Sequence, residues 1–422
     1  MTRFGPARPL TLLNARLVSV ESTALTTLRV AGGRAVSVGG PLIAGDRVVD
    51  LAGAFVYPGL INAHDHLELN NFPRLKWRDR HDNARDWIDG FTPRFTTDPR
   101  LSEPLKVSLA DRLLLGGIKN LLSGVTTVCH HNPLFRALRR GPRSLRLSGP
   151  RFPVRVVEHY GWSHSLQVDG DEQVVRAYRR TPRNWPWIIH AAEGTDAEAA
   201  AELGRLDSLG CLGANTVLVH GVGFTAADRA RLIEQSGGLV WCPSSNLFML
   251  DATTGVGTLA QAGRVALGSD SRLTGERDLL GELQIAARTG QVSSQVLFAM
   301  VTTRAADLLR LPKAGRLEPG LPADLVVLPA RQADPFENLL AAERSALSLV
   351  MVGGEALYGD HALLPGLFDD GRQAAPVVVD GAAKWLRRDL AERVWANGAQ
   401  EAGLVSDRAG AVQRESAAKV RV

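Results

Sequence analysis

The chain has 422 residues, of which 45% are apolar and 22% charged, which is typical of a soluble globular protein long enough for two or three domains. It has no uninterrupted apolar run of about 18 residues and no apolar leader within residues 1–10, so we exclude a transmembrane helix and expect a cytoplasmic protein. The net charge is only +5, and the 43 arginines (against 6 lysines) are dispersed, which argues against nucleic-acid binding. Three cysteines, an odd number, argue against a disulfide framework.

Residues 1–55 form the first predicted segment, which is all-β. Apolar and β-branched runs predict short strands at residues 10–13, 16–20 and 27–30. Glycine pairs such as Gly32-Gly33 supply the turns between them. This segment is too small to be a catalytic core.

Residues 56–311 change to short buried strands that alternate with helical patterns. Seven strands are predicted, at residues 56–57, 125–129, 154–158, 187–190, 216–220, 238–242 and 265–268. Such alternation predicts parallel strands in an α/β barrel or an open sheet. A length of about 250 residues favours the (β/α)8 barrel, although an eighth strand is not evident. The stretch between His131 and His190 has room for about two strand–helix units.

The strand pattern returns after Pro312. Residues 312–375 are predicted to add strands at 323–328 and 347–352 to the β structure. Residues 376–422 are predicted to hold an arginine-rich amphipathic helix over 382–394, followed by a frayed tail.

The histidines give the sharpest functional signal, because nine of the ten lie between His64 and His220. His64 and His66 end the first predicted barrel strand and, two residues apart, project to the same side. Two imidazoles on one face are a ready pair of metal ligands. A pair of hydrogen-bonded core histidines is an equally good interpretation of these two residues alone.

Further polar residues end other predicted strands. His190 follows an apolar run, and Glu193 stands three residues later; His220 and Asp270 end two more strands. The carboxyl ends of parallel barrel strands meet at one face, where active sites form. Three more strands ending in His, His and Asp therefore predict a metal site at that face.

Several motifs resemble the metal-dependent amidohydrolase superfamily, in the branch with atrazine chlorohydrolase-like, guanine deaminase-like and cytosine deaminase-like enzymes. The motifs are VVDLAGAFVYPGLINAHDH (48–66), SGVTTV (123–128), LVHG (218–221), CPSSN (242–246), LGSDS (267–271) and GRLEPGLPADLVVL (315–328). The resemblance covers about residues 10–360. It implies a (β/α)8 barrel beside a small composite β-sandwich, formed by the N- and C-terminal segments.

The resemblance also implies roles for the strand-end residues. One divalent metal, zinc or alternatively iron, would be bound by His64, His66, His190 and Asp270. Glu193 and His220 would be the acid–base pair for attack by metal-bound hydroxide, and Asp270 could also accept a proton. A binuclear centre bridged by a carboxylated lysine is excluded, because no lysine occurs between positions 119 and 313.

Substrate contacts are predicted at positions near the strand ends. These are Glu68, Asn70, His130, His159, Trp162 and Asn246. For each, a hydrogen-bonded core or loop role is the alternative. Trp77, Trp87 and the stretch to Pro104 are predicted to form a lid. The sequence departs from the family at Trp241, since relatives often carry histidine there.

The function that follows from the resemblance is hydrolysis of non-peptide carbon–nitrogen bonds in a small molecule. Deamination of an amino-substituted heterocycle or amidine is the first expectation. Ring opening of a cyclic amide, as in imidazolonepropionase-like relatives, and hydrolytic dechlorination are the alternatives. An inactive scaffold barrel is a further one, but it predicts erosion of the ligand set, which is intact. Relatives lead us to expect a homo-oligomer, a dimer or larger.

Overall fold

The computed structural model describes residues 8–139, 152–396 and 400–407. Five strands open the described chain: β1 (Leu10–Val18), β2 (Thr23–Ala31), β3 (Arg34–Val38), β4 (Arg47–Asp50) and β5 (Phe55–Pro58). β1 pairs antiparallel with β2 and parallel with β4 and β5. The N-terminal segment is therefore all-β, as the glycine-punctuated pattern predicts.

Eight strands follow in the next region. They are β6 (Leu60–Asp65), β7 (Val125–His130), β8 (Arg155–Val156), β9 (Gly161–Ser165), β10 (Trp187–Ala191), β11 (Thr216–His220), β12 (Gly238–Trp241) and β13 (Val265–Leu267). β6 to β8 form one parallel sheet, and β9 to β13 form another. The fold is an α/β barrel, which confirms the prediction.

The last barrel strand returns to the first. The amide of Asp270, just after β13, donates to the carbonyl of His64 at 3.1 Å. Gly268 makes this approach possible, because a Cβ at that position would lie 2.6 Å from the Cβ of His64. The absence of a side chain at one position thus brings the two strand ends together.

Helices connect the barrel strands and pack around them. In the described part of this region they are α1 (Ala84–Phe91), α2 (Pro99–Leu105), α3 (Leu109–Leu122), α4 (Leu166–Asp169), α5 (Asp171–Arg180), α6 (Ala197–Ser208), α7 (Ala226–Glu234), α8 (Pro243–Leu250), α9 (Gly257–Gln261), α10 (Leu279–Arg288), α11 (Ser294–Met300) and α12 (Thr303–Leu308). Within the described ranges, no helix combines the length and apolar character needed to cross a lipid bilayer.

The C-terminal segment completes the β structure that β1 to β5 begin. It contains β14 (Leu325–Leu328), α13 (Pro335–Leu340), β15 (Leu349–Val352), β16 (Glu355–Gly359), α14 (Leu364–Leu367), β17 (Ala374–Val379), β18 (Ala382–Arg387), α15 (Arg388–Ala396) and β19 (Leu404–Ser406). β14 pairs antiparallel with β5, so both ends of the chain share one eleven-stranded sheet. Leu12 and Leu28 share a buried core with Leu325 and Leu349. The composite β unit is thus confirmed.

One predicted barrel strand needs correction, and one barrel strand was not predicted. Val56 and Tyr57 lie in β5, which belongs to the composite sheet, and the first barrel strand begins at Leu60. The eighth strand is β9, separated from β8 only by residues 157–160. The strands were predicted from segments that alternate with helical patterns. Because no helix separates β8 from β9, this pattern is absent there and β9 was not recognised.

The predicted helix over residues 382–394 is wrong in its first half. Residues 382–387 form β18, and helix α15 begins only at Arg388. β18 pairs along its whole length with β17, and this pairing overrides the helical pattern. The predicted tail contains β19, and its residues 408–422 lie outside the described residues. The domain boundaries at residues 55, 311 and 375 stay predictions.

Candidate active site

The polar residues that end the predicted strands converge at one end of the barrel. His64 lies on β6 and His190 on β10, while His220 is the last residue of β11. His66 and Asp270 follow directly after β6 and shortly after β13. Because the strands are parallel, their carboxyl ends bring these side chains to the same face.

Four of these side chains, which we call the ligand cluster, surround one point: His64, His66, His190 and Asp270. One nitrogen from each histidine lies within 4.8 Å of the others, and His64 Nε2 is 3.3 Å from His190 Nε2. Asp270 Oδ1 lies 3.8 Å from His64 Nε2 and 3.6 Å from His66 Nε2. All four residues are buried. Three imidazoles and one carboxylate fit a divalent cation such as zinc.

Hydrogen bonds behind the ligand cluster orient two of its rings. His190 Nδ1 donates to the carbonyl of His164 at 2.8 Å. His131 Nε2 donates to the carbonyl of Ser163 at 2.9 Å, which leaves His131 Nδ1 to accept from His64 Nδ1 at 3.3 Å. Both His64 and His190 therefore keep an unprotonated Nε2 directed to the cluster, the form that binds a metal.

Asp270 is fixed by three hydrogen bonds. Its Oδ2 accepts from Ser245 Oγ at 2.7 Å and from Thr274 Oγ1 at 3.0 Å, and its Oδ1 accepts from the amide of Ser271 at 2.8 Å. Its φ of +53°, like the +75° of His220, lies in the left-handed region. Such strain in non-glycine residues concentrates at functional sites, where the surrounding structure maintains it.

The ionisation states of the ligand cluster suit a cation. Burial lowers the pKa of His64 and His190 well below the usual histidine value, and neighbouring imidazoles lower it further. Burial acts to raise the pKa of Asp270, but its electrostatic interactions with the His66 and His220 side chains, together with hydrogen bonds from Ser245 and Ser271, outweigh burial and lower the pKa of Asp270. Neutral imidazoles beside an ionised carboxylate are the forms that metal ligation requires.

Glu193 and His220 form a second pair beside the ligand cluster. Glu193 Oε1 lies 3.5 Å from His220 Nε2, and His220 Nδ1 donates to Asn246 Oδ1 at 2.8 Å. Burial, and then the negative charge of Asp270, raise the pKa of Glu193 well above the usual value, whereas burial lowers the pKa of His220. A carboxyl group with a raised pKa can take up and release a proton near neutral pH.

The predicted lid, residues 77–104, packs over this site through its own hydrophobic cluster. Trp77, Trp87 and Leu101 pack there together with Leu273, which follows β13. A cavity of about 150 Å³ lies between helix α1 of the lid and the ligand cluster. The lid thus forms one wall of the space in which a substrate would meet Glu193.

The lid is also joined to the chain segment that carries Glu193. The amide of Ala84 donates to the carbonyl of Glu193 at 2.9 Å, and Asn83 forms an antiparallel bridge with Gly194. Asn83 Oδ1 accepts from the amide of Asp86 at 2.8 Å and so caps helix α1. Its Nδ2 donates to the carboxylate of Asp196, which caps α6. The Asn83 side chain therefore links two helix starts beside Glu193.

Three of the predicted substrate contacts lie against the site. Asn246 holds His220. Glu68 and His130 face each other, with Glu68 Oε2 3.7 Å from His130 Nδ1, and neither lines the cavity among the described residues. Glu68 Oε1 accepts from Asn132 Nδ2 at 2.5 Å, and Asn132 does line the cavity. Asn246 and Glu68 therefore contact residues that line the cavity without lining it themselves.

The other three predicted contacts are placed elsewhere. Asn70 accepts from Lys119 Nζ at 2.8 Å in a buried cluster beneath the strand ends. His159 is exposed, and its ring packs on Trp185 with centroids 4.9 Å apart. Trp162 meets the ring of His131 edge-on at 5.9 Å. None of these three is among the described residues that line the cavity, and their predicted substrate contacts stay predictions.

Sequence reasoning missed Asn132, which stands two residues past β7 and lines the cavity. Its position just beyond a strand end was the available signal. His164, on β9, also lines the cavity. Trp241 is fully buried, and its Nε1 donates to Thr253 Oγ1 at 2.8 Å. Trp241, where the sequence departs from the family, therefore packs within the barrel and is not among the described residues that line this cavity.

Comparisons with known proteins agree on the family. Residues 183–357 match the model of the amidohydrolase family. A 5-methylthioadenosine/S-adenosylhomocysteine deaminase of Nitratidesulfovibrio vulgaris is 27% identical, covering 83% of this chain and 92% of that protein. An 8-oxoguanine deaminase of Pseudomonas aeruginosa is 25% identical, covering 82% and 96%. Atrazine chlorohydrolase of Arthrobacter aurescens, solved with zinc, has 18% identity and a TM-score of 0.66, covering 82% and 95%, a likeness of fold.

Proposed function

We propose that this chain, which belongs to the amidohydrolase superfamily, is a mononuclear metal-dependent deaminase of an amino-substituted heterocycle or amidine. One observation carries the proposal. His66, His190 and Asp270 of the ligand cluster line the same cavity as Glu193 and His220, and Glu193 Oε1 lies 3.5 Å from His220 Nε2. Hydrolysis of a carbon–nitrogen bond needs a water nucleophile and a proton carrier at one place, and this arrangement supplies room for both.

Zinc is the metal that we assign to the ligand cluster, with iron as the alternative. The donor set, three imidazole nitrogens and one carboxylate, is typical of such a site. When bound, a divalent metal would lower the pKa of a coordinated water to about 7. The hydrogen bonds to His64, His190 and Asp270 hold the ligands in the orientation this requires.

Glu193 is the proton carrier in this proposal. It takes the proton that the attacking water loses and delivers it to the substrate nitrogen. The water oxygen bonds to the ring carbon, the carbon–nitrogen bond then breaks, and the nitrogen leaves as ammonia. Burial keeps the pKa of Glu193 raised, so the carboxyl group holds the proton long enough to transfer it.

His220 and Asp270 position the attacking water. Because His220 Nδ1 donates to Asn246, its Nε2 keeps a lone pair on the side of Glu193. That lone pair can accept a hydrogen bond from the water and fix its direction of attack. Asp270, ionised at neutral pH, can accept a second proton.

Hydrolytic dechlorination is the second candidate, favoured by the likeness in fold to atrazine chlorohydrolase. The same attack at a ring carbon would then expel chloride. Both reactions need a small-molecule substrate, and we further propose a cytoplasmic homo-oligomer.

The test is product release by zinc-loaded full-length protein. Ammonia and chloride would be measured across aminopyrimidines, aminopurines, pterins, triazines, guanidino compounds and chlorotriazines. Ammonia from one class establishes a deaminase, and chloride alone establishes the second candidate. Protein that binds zinc but releases neither product from any compound contradicts both.

A further inference from the structure

We propose that the substrate is an uncharged single-ring amino heterocycle whose face packs against helix α1, and that two-ring and nucleoside substrates are poorly accepted. This inference rests on the proposed function and specifies its substrate class. Three properties of the cavity support it: the available volume, the apolar wall supplied by the lid, and the charges of the residues around it.

The cavity volume fits one ring. It is about 150 Å³, whereas ligand sites for drug-sized molecules commonly measure about 300–1,000 Å³. An engineered apolar cavity of about 150 Å³ accepts a benzene-sized ligand. A purine has a second fused ring, and a nucleoside also has a sugar, so either would extend beyond this volume.

The lid wall is apolar and held in place. Trp87 and Ile88, one turn after Ala84 on helix α1, line the cavity on the same face of the helix. Trp87 Nε1 donates to the carbonyl of Leu75 at 3.1 Å, and its ring stacks on Phe91 with centroids 5.1 Å apart. A fixed indole offers a flat surface to a planar ring.

The remaining apolar lining comes from other elements. Leu69, Met249 and Leu273 also line the cavity, from the segments after β6, at the end of α8 and after β13. Together with the lid they leave apolar surface around the part of the ring that does not face the ligand cluster. Burial of apolar substituents of the substrate against this surface would be favourable.

The charges around the cavity disfavour anionic substrates. Among the described lining residues there is neither lysine nor arginine, while Glu193 and Asp270 are carboxylic. Arg272, close in sequence to Asp270, is committed to Glu401, with bonds of 2.5 and 2.8 Å. A phosphate or carboxylate on the substrate would find no cationic partner in this lining.

Polar groups outside the ligand cluster and the Glu193–His220 pair also line the cavity. His164 and Asn132 line it, and the buried Nδ1 of His164 has no hydrogen-bond partner among the described residues. A buried ring nitrogen without a partner costs free energy unless a ligand satisfies it. A ring nitrogen or exocyclic amino group of the substrate would supply that partner.

Matched substrates test this inference on the zinc-loaded full-length protein. We would compare kcat/KM for ammonia release from cytosine and a neutral diamino-triazine with that from adenine, adenosine and a carboxylate-bearing aminopyrimidine. We expect at least one neutral single ring to exceed all the larger or anionic compounds by at least about tenfold. A preference for adenine or adenosine overturns the inference but leaves the proposed function intact. No ammonia from any compound, with zinc bound, overturns both.

Variants of the wall provide a second test. Trp87→Ala should lower kcat/KM for the single ring about tenfold, mostly through KM, and reduce the disadvantage of adenine. Trp77→Ala removes the same side chain elsewhere in the lid cluster, so it should leave the ratio between the two substrates unchanged. Ile88→Trp narrows the cavity and should penalise adenine more than the single ring. An equal effect of all three changes on both substrates would contradict a size-selecting wall.

Discussion

Two buried polar clusters share the same strand ends but differ in how their atoms are satisfied. The ligand cluster takes His64 and His66 from the end of β6, and Asp270 from the segment after β13. The second cluster takes the intervening Asp65, and Ser269, which precedes Asp270. Alternation along a strand sends neighbouring residues to opposite sides, so one strand end can serve both clusters.

The second cluster, which we call the support cluster, consists of Asp65, Asn70, Lys119, Asn120 and Ser269. Lys119 Nζ lies 3.1 Å from Asp65 Oδ2, 2.8 Å from Asn70 Oδ1 and 3.0 Å from Ser269 Oγ. Asn120 Nδ2 also donates to Asp65 Oδ2 at 2.7 Å. The ion pair between Lys119 and Asp65 and these hydrogen bonds give the polar groups of the support cluster partners within the cluster itself.

In the ligand cluster, by contrast, imidazole nitrogens face one another. Two Nε2 atoms 3.3 Å apart, neither of them protonated, gain nothing from each other. A buried polar group without a partner is costly, and such groups in a native structure usually have a functional reason. The polar groups of the support cluster are thus satisfied by one another, whereas the imidazole nitrogens of the ligand cluster need a bound cation as their partner.

The largest expected effect is at the edge of the ligand cluster. Glu193→Gln keeps the shape of the side chain but removes proton transfer, so kcat should fall by about 10²–10⁴-fold. Elemental analysis should still find one zinc per chain, because Glu193 is not in the ligand cluster. Full activity with zinc bound would show that Glu193 is not the proton carrier.

Replacing Lys119, the only cationic side chain of the support cluster, tests the ion pair of that cluster. Lys119→Met leaves the buried Asp65 without its ion pair, so the free energy of unfolding should fall by about 3–5 kcal/mol in urea denaturation. Zinc affinity should fall as well, because Asp65 lies between His64 and His66. Lys384→Met, which removes a buried lysine from its ion pair with the partly exposed Asp360 beside the composite sheet, is the control. It should lose stability without losing zinc affinity; equal zinc loss in both variants would reject the support role.

The pH dependence of the metal-free protein should separate the clusters. Burial lowers the pKa of His64, His131 and His190 well below 6.5, so the folded chain binds fewer protons than the unfolded chain in acid. The stability that these histidines contribute is therefore present above about pH 6.5 and lost below it, by up to about 1.4 kcal/mol per pH unit for each histidine.

Chemical denaturation between pH 7.5 and 5 would measure this loss. His190→Gln should flatten the dependence, while Lys119→Met should lower stability at every pH with the slope unchanged. Burial also raises the pKa of Glu202 to about 7 and of Glu282 to about 8, which adds an opposite dependence that all of these proteins share. An identical pH dependence in His190→Gln and in the unsubstituted protein would therefore contradict the neutral state of His190.

The smallest expected effect is at the lid, because its hydrogen bonds are less buried than those of either cluster. Asn83→Ser keeps an oxygen that can cap helix α1 but loses the hydrogen bond to Asp196. A loss of about 1 kcal/mol in positioning Glu193 corresponds to a decrease in kcat of about fivefold. Thr92→Ala, at the other end of α1, is the control and should leave kcat unchanged. An equal decrease in both variants would mean that the lid acts only through its stability.

The support cluster also shows where sequence reasoning reached its limit. Asn70 was predicted as a substrate contact from its position near a strand end, and in the structure its side-chain oxygen accepts a hydrogen bond from Lys119. Lys119 lies on helix α3, far along the chain, and no local pattern connects it with Asn70. Asn132, which does line the cavity, was missed although it lies close to the end of β7.

The sequence by itself determined the α/β barrel and the residues at its active end, because apolar runs predict strands and the residues after them lie at one face. The tertiary structure decided what depends on packing between distant segments. β9 is a strand through its pairing with β10, and residues 382–387 are a strand through their pairing with β17. It also decided which of the nearby polar side chains meet each other and which meet the cavity. Local patterns give the type and direction of an element, whereas a cavity is the space that several distant elements leave between them.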